Sequence, residues 1–332
     1  MRLSVHDLIT INKAANEEEA FTNTITLAKH LDHWGYHRHW MAEHHSMDHH
    51  LSSAPEITAA YLAAKTEQIR VGTGGTMIMH YAPYKLAETF NTLASLAPGR
   101  VDLGLGRAAG GGNYAITALA EGRQVKTSDQ YERVEKILAL LEGEAKEDPI
   151  LSRVKVTPNP ETKALPWLLG ATGNSAKKAG DFGLGYSFAK FFGVKNDPGV
   201  FDAYRNAFQP SSFFTEPYII SSYQIIAADS LEEANYLAKP IEVQRVNQVG
   251  SGPNPLLTPE EAKDYQFTPA EENILEEAYE NRFLIKGDPE SIEKIMTDEE
   301  ERFGFNELMI YSPIFPFEKR LRSYEILKEI FL

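Results

Sequence analysis

The chain contains no cysteine, which removes disulfides, thiolate nucleophiles, iron–sulfur clusters and cysteine-ligated zinc at once. Any chemistry must use other groups. Positive charge is also scarce: 33 Lys and Arg stand against 47 Asp and Glu, a net charge of −14, with no basic run that could track a phosphate backbone. Nucleic acid is not an expected partner. No apolar run approaches the roughly 18 residues of a membrane span, and the opening MRLSVHDLIT lacks the charged, apolar and cleavage regions of a signal peptide. The expectation is a cytoplasmic protein with no membrane contact. Low-complexity tracts and short internal repeats are missing too. With 42% hydrophobic and 24% charged residues over 332 positions, the chain is globular and long enough to bury roughly three quarters of its unfolded surface.

What is present is an alternation. Short β-rich runs followed by amphipathic helical stretches and turns mark parallel βα units. Strands are expected at 3–9, 38–42, 69–78, 100–105, 166–170, 186–190, 218–227 and 306–311. Helices are expected at 16–34, 55–66, 85–97, 129–142, 175–182, 198–208, 231–247 and 318–330, with Pro240 kinking or restarting the seventh. Eight strands separated by helices favour a (β/α)8 TIM barrel, here one domain over 1–332, above an open sheet. Two stretches interrupt the rhythm. Residues 143–164, with Pro149, Pro158 and Pro160, read as an insertion, and residues 250–282 as a lid, a binding segment or an interface element.

Eight of the ten histidines fall between His30 and His50, which invites a metal site. The spacing argues against one: His44 and His45 are adjacent, so on a strand they face opposite sides, and no HExxH is present. No metal is expected. His44 follows the second strand, at the end of a barrel strand where active sites are built, and is either a catalytic group or a hydrogen-bonded structural histidine. GLGRAAGGG (104–112) follows the fourth strand rather than the first and does not fit a Rossmann fingerprint. Arg107 within it could clamp a phosphate or bridge to a neighbouring loop. GATGNSAKKAG (170–180) leaves a strand and opens a helix, with Thr172, Asn174 and Ser175 supplying side-chain donors; it reads as an anion site or as plain helix capping by Asn174 or Ser175. VGTGG (71–75) clusters glycines within a strand, which suggests a bulge or a flat ligand lying on the backbone. Together these pieces suit the planar, amphipathic ring of a flavin.

Six stretches carry a family resemblance: WMAEHH (40–45), SSAPEI (52–57), IRVGTGGTMIMHYAPYKLAE (69–88), LAPGRVDLGLGRA (96–108), LPWLLGATGNSAKKAGDFGLGY (165–186) and KGDPESI (286–292). In these the chain resembles the bacterial luciferase-like flavin monooxygenases, in their single-chain branch of unassigned substrate. The resemblance implies a (β/α)8 barrel with insertions that uses reduced FMN and O2 to oxidise a small organic substrate through a flavin peroxide, an oxygen-incorporating reaction on paired donors. It implies His44 as catalytic base or peroxide-stabilising group. Cofactor binding falls on Glu43, Thr73, Gly74, Gly75, Arg107, Ala171, Thr172, Gly173 and Ser175, with a non-proline cis peptide at Gly74–Gly75 and a supporting role for Glu88. The segment 250–282 corresponds to a mobile lid. Light-emitting chains carry a reactive cysteine where Gly106 stands here, so bioluminescence is not expected. With no nicotinamide fingerprint, reduced FMN is expected from a separate flavin reductase by diffusion, and a homodimer is common in the family. Two other readings stay open: a flavin-binding carrier or partner subunit without turnover, and a deazaflavin-dependent reductase.

Overall fold

The computed structural model describes residues 1–12, 16–123, 130–145, 148–192, 198–250 and 256–332, with backbone alone at 248–250. Its centre is a sheet of parallel strands: β1 (Arg2–Asp7), β2 (Arg38–Met41), β3 (Arg70–Met77), β4 (Val101–Gly106), β5 (Leu165–Gly170), β6 (Gly185–Ala189), β7 (Ile219–Ala227), β8 (Leu284–Gly287) and β9 (Glu307–Tyr311). Strands β1 to β7 pair in order, and β9 pairs with both β7 and β1. The result is a closed eight-stranded parallel barrel, the TIM-barrel class expected from the alternation.

The eight expected strands are the barrel staves. Strand β8 lies outside the ring and was not expected. It pairs with Gln224–Ala227, the part of the nine-residue β7 that extends past its pairing with β9 over Ile220–Gln224. An overlong stave leaves donors and acceptors that need a partner, and four residues from the acidic C-terminal region supply one.

The described helices are α1 (Glu17–Trp34), α2 (Pro55–Ala63), α3 (Pro83–Leu96), α4 (Asn113–Ala120), α5 (Gln130–Glu142), α6 (Gly173–Asp181), α7 (Pro198–Ala207), α8 (Leu231–Gly250), α9 (Pro259–Ala262), α10 (Pro269–Glu280), α11 (Pro289–Phe303) and α12 (Phe317–Phe331). Local chemistry explains their ends. Asn16 caps α1 by accepting from the Glu19 amide, and Gly35, at φ 84°, closes it. The stripe Ala20, Thr24, Leu27, Ala28 and Leu31 is buried, the i, i+3/i+4 spacing of a helix lying on a sheet. Helix α8 carries Pro240 in its interior and runs on as one element, so of the two expectations, a kink or a restart, the restart is excluded. The carbonyl that loses its hydrogen bond belongs to Tyr236, on a turn whose side chain is 43% exposed, so water is at hand to accept the role.

Of the segment 250–282, residues 251–255 lie outside the described residues. The remainder forms α9 and α10, each begun by a Thr-Pro capping box at Thr258 and Thr268. Helix α10 packs on α8 and β8 through Leu275 and Ala278. The 143–164 insertion is tied to α3, where Tyr84 Oη donates to the Lys155 carbonyl and Asn91 Nδ2 to that of Pro158.

At the N-terminal end the barrel is plugged by charge. Arg38 is buried beneath the Trp167 ring (4.6 Å) and donates to Asp102 (2.8 Å) and, through two nitrogens, to Glu307 (2.6 and 3.1 Å). Arg70 holds the other Asp102 oxygen (2.6 Å). These guanidinium groups keep both carboxyls below the usual carboxylate range despite burial. Above the plug, Trp40, Trp167, Ile220 and Met309 fill the interior. The cavity begins on top of them.

Candidate active site

A cavity of about 400 Å3 opens at the C-terminal ends of the strands, the end at which barrel enzymes build their sites. Its floor and walls are mostly apolar, with Trp40, Met77, Leu169, Phe191 and Met309 among them. Polar groups enter at a few points only, as in a site that holds a flat amphipathic ligand.

Strand β2 delivers the first of these. Beyond Met41 the chain continues through Glu43, His44 and His45, pinned by His44 N–H to the Ser52 carbonyl (2.8 Å) and His45 N–H to that of Gly110 (2.7 Å). Successive side chains diverge. His44 faces the cavity, whereas His45 turns away and meets the Glu43 carboxylate at 2.8 Å. Glu43 also accepts from Tyr81 Oη (3.0 Å) and the Met77 amide (2.7 Å), so it fixes the end of β3 against the end of β2. Burial, and then the neighbouring His49 and His45 rings, push the His44 imidazole down to about 4. It is neutral near pH 7, and its buried Nδ1 has no hydrogen-bond partner. The hydrogen-bonded structural histidine considered from sequence is therefore not what His44 is at Nδ1.

His6, on β1, shares the cavity. Its Nε2 is likewise unpartnered, and burial, reinforced by His44, lowers it to about 4. Sequence reasoning passed over His6, although its place one residue before the end of a barrel strand was the available signal. Among the described residues no group of three or more His, Asp or Glu is arranged to hold a metal.

The glycine run forms an irregularity in β3. The β3–β4 register shifts between Thr73 and Thr76, and the Gly74–Gly75 peptide is cis. A Cβ on Gly74 would stand 3.0 Å from Trp40 and 3.1 Å from His6; one on Gly75 would stand 2.8 Å from the Gly104 carbonyl. Gly74 is on the cavity wall, while Gly75 abuts β4. Thr73 points into the sheet, where its hydroxyl accepts from Thr76 Oγ1 (3.0 Å) and from the Gly104 amide (3.2 Å). It does not reach the cavity.

Arg107 follows β4 and lines the same cavity. Its Nη1 donates to Tyr131 Oη (2.6 Å), its guanidinium lies over the Tyr131 ring (4.7 Å), and its buried Nε has no partner. The end of β5 comes close beside it, with Gly170 and Ala171 also on the wall. Thr172 caps α6 by accepting from the Ser175 amide, and Ser175 Oγ accepts from the Thr172 amide (3.2 Å) and donates to its carbonyl (2.7 Å). The cap is thus Thr172, not Asn174 or Ser175 as expected. Ser175 is fully buried and also meets Tyr186 Oη (3.1 Å), so its hydroxyl is spent inside the protein. Thr172, Gly173 and Ser175 do not line the cavity; they build the helix start beside it. The amides of Gly173 and Asn174 have no intrahelical acceptor by position.

Glu88 stands apart. It pairs with Lys85 (3.7 Å) and Tyr84 on the outer face of α3, away from the cavity. No described residue of 250–282 is on the cavity wall either. Phe191 and Phe192, just after β6, close that side instead and were not singled out in the sequence.

The family model for luciferase-like monooxygenases matches residues 1–307. The uncharacterized protein YvbT of Bacillus subtilis (strain 168) is 34% identical over 329 residues, covering 99% of this chain and 96% of its own. A luciferase-like monooxygenase of Escherichia coli (strain K12) is 31% identical, covering 98% and 96%. Among solved structures, apo-MsnO8 superposes with a TM-score of 0.91 at 31% identity, covering 99% of this chain and 98% of that one. The oxygenating constituent of 3,6-diketocamphane monooxygenase from Pseudomonas putida, in complex with FMN, shares the fold at a TM-score of 0.71 and 19% identity, covering 99% and 97%. On its barrel and on these full-length matches, the chain belongs to the luciferase-like monooxygenase family.

Proposed function

We propose that this protein is an FMN-dependent monooxygenase of the cytoplasm that oxidises a small organic substrate with O2, its reduced FMN supplied by a separate reductase. One observation carries the reading: one largely apolar cavity is lined both by Arg107, whose Nε has no partner among the described residues, beside a helix N-terminus, and by a neutral His44. A homodimer is part of the same proposal.

The residues fit the group. The Arg107 guanidinium and the Gly173 and Asn174 amides form a site for a phosphate, by charge-assisted hydrogen bonds and helix-end dipoles. Trp40, Met77, Leu169 and Met309 offer apolar walls for a ring, and Gly74 leaves the space a side chain would fill. Reduced FMN supplies two electrons, so that one oxygen atom of O2 enters the substrate and the other leaves as water. His44, neutral near pH 7, presents an imidazole that can donate or accept a hydrogen bond at the reacting atoms. Glu43 orients that histidine indirectly, by fixing the ends of β2 and β3. The apolar walls limit water around the reacting groups.

The test is a titration followed by a rapid-mixing experiment. FMN should quench on binding, and Arg107→Ala should weaken it by at least tenfold, while His44→Ala should bind as wild type. Anaerobic reduced FMN bound to the protein and mixed with O2 should reoxidise with kinetics unlike those of free FMN, and differently again in His44→Ala. Reoxidation at the free rate in both proteins, or reduction of bound flavin by NADH without any reductase, would defeat the proposal. Preference for a deazaflavin over FMN in the titration would move the protein to the reductase class.

A further inference from the structure

The space at the strand ends does not stop at His44. A second chamber of about 230 Å3 adjoins the first, and His6, His44, Phe191 and Phe192 line both. Its remaining walls come from β7, α8, the ends of β1 and β9, and the loop after β2. Leu8, Met47 and Ile241 make part of it apolar; Gln224, Gln244 and Arg245 make another part polar.

Arg245 is the anomaly. Its guanidinium lies 5.6 Å from the Phe283 ring, and among the described residues it has neither a carboxylate within ion-pair distance nor a hydrogen bond. Burial alone pulls its pKa down. Glu242, one turn earlier on α8, is not available, because Lys286 Nζ (2.6 Å) and Tyr279 Oη already hold it. Beside Arg245, Gln244 is 8% exposed, and its buried Nε2 has no partner. No Asp or Glu lines the chamber, and its histidines are held neutral: His44 down to about 4 and His50 down to about 2, by burial first and then by their neighbours. Arg245, half-buried and without a protein acceptor among the described residues, and the buried Gln244 amide donor both have hydrogen-bonding capacity to offer an anion. An anion with two oxygens has the shape that a guanidinium fork recognises.

We propose that this second chamber is the substrate side of the site and that its substrates carry a carboxylate, held by Arg245 and Gln244, with the rest of the molecule reaching toward His44. The substrate assignment rests on the flavin reading of the larger cavity, whereas the carboxylate site itself does not. Leu8, Met47 and Ile241 supply apolar contact for the body of such a molecule, so a short-chain organic acid is the class that fits.

Calorimetric titration of the full-length protein with hexanoate, hexanamide and 1-hexanol tests this directly, because the three share a tail and differ in the head group. Hexanoate is expected to bind at least tenfold more tightly than hexanamide, a difference of about 1.4 kcal/mol, and Arg245→Met should erase that preference while Gln244→Leu reduces it severalfold. Equal or absent binding of all three by the wild type overturns the proposal without recourse to a variant. So does a carboxylate preference that persists in Arg245→Met, since it would place the acid at Arg107. FMN titrated in parallel separates the two ideas: FMN binding without carboxylate preference removes the anion chamber alone. Carboxylate preference without FMN binding supports the chamber and removes the flavin reading.

Discussion

Acid should destabilise this protein through its histidines, and the amount can be worked from the cavity. Burial, with mutual repulsion as the second cause, lowers His6 and His44 to about 4 and His50 to about 2. In the unfolded chain each should titrate near 6.5. Between those values the unfolded state binds protons that the native state refuses, so stability falls as pH drops below 6.5. The loss is complete for His6 and His44 below about pH 4. At pH 5 each such group removes about 2 kcal/mol relative to pH 7.5, from 1.36 kcal/mol per unit. The three together reach about 6 kcal/mol, and the half-buried His37, also lowered to about 4 by burial and then by Arg38, adds a smaller share. Against a total stability of about 5–15 kcal/mol, that is enough to bring the protein close to unfolding at a pH where most carboxylates remain charged. Urea denaturation at pH 7.5, 6 and 5, followed by tryptophan fluorescence, measures it. The midpoint should drop steeply over this window, and His44→Gln should lose roughly a quarter to a third of the dependence. A midpoint unchanged between pH 7.5 and 5 would refute the claim that these rings are held neutral.

Two further perturbations probe the frame. Gly75→Ala should destabilise more than Gly74→Ala, because its Cβ would meet the β4 backbone at 2.8–2.9 Å, whereas that of Gly74 meets the side chains of Trp40 and His6 at 3.0–3.1 Å. Overpacking of this kind costs about 1–3 kcal/mol; equal urea midpoints for the two variants would contradict the close approach drawn here. Arg38→Met leaves Glu307 without its guanidinium and Asp102 with only Arg70 and the Trp40 Nε1–H, a loss of about 3–5 kcal/mol for a broken buried pair. Thermal denaturation should show it, and Glu307→Gln combined with Arg38→Met should recover part of the deficit.

Legibility followed the range of the interactions. The eight staves were readable because each is a short apolar run bounded by local turn chemistry. Strand β8 was not, since four residues have no periodicity of their own and exist as a strand only because β7 overshoots the ring. Pro240 left a kink and a restart both open, because its local rule cannot weigh the packing of Leu237, Ala238, Ile241 and Val246, which keeps α8 one element. The acidic stretch 258–302 holds 15 acidic and 5 basic residues. It forms α9, α10, β8 and α11, and the Thr-Pro-x-Glu caps of α9 and α10 are visible in the sequence.

The candidate site divides along the same line. Motif identity alone was enough to single out His44, Arg107 and the Gly74–Gly75 pair, because each depends on chemistry fixed within a few residues: a strand end, a loop cation, a backbone without Cβ. Tertiary structure alone decided that Thr73 turns into the sheet, that Ser175 spends its hydroxyl on a helix cap and that Glu88 faces outward. It also decided that His6 and Arg245, 239 positions apart, stand around adjoining chambers. A sequence specifies which groups can take a proton or a charge. Which of them are left without a partner depends on every element that packs against them, and that is settled only when the barrel closes.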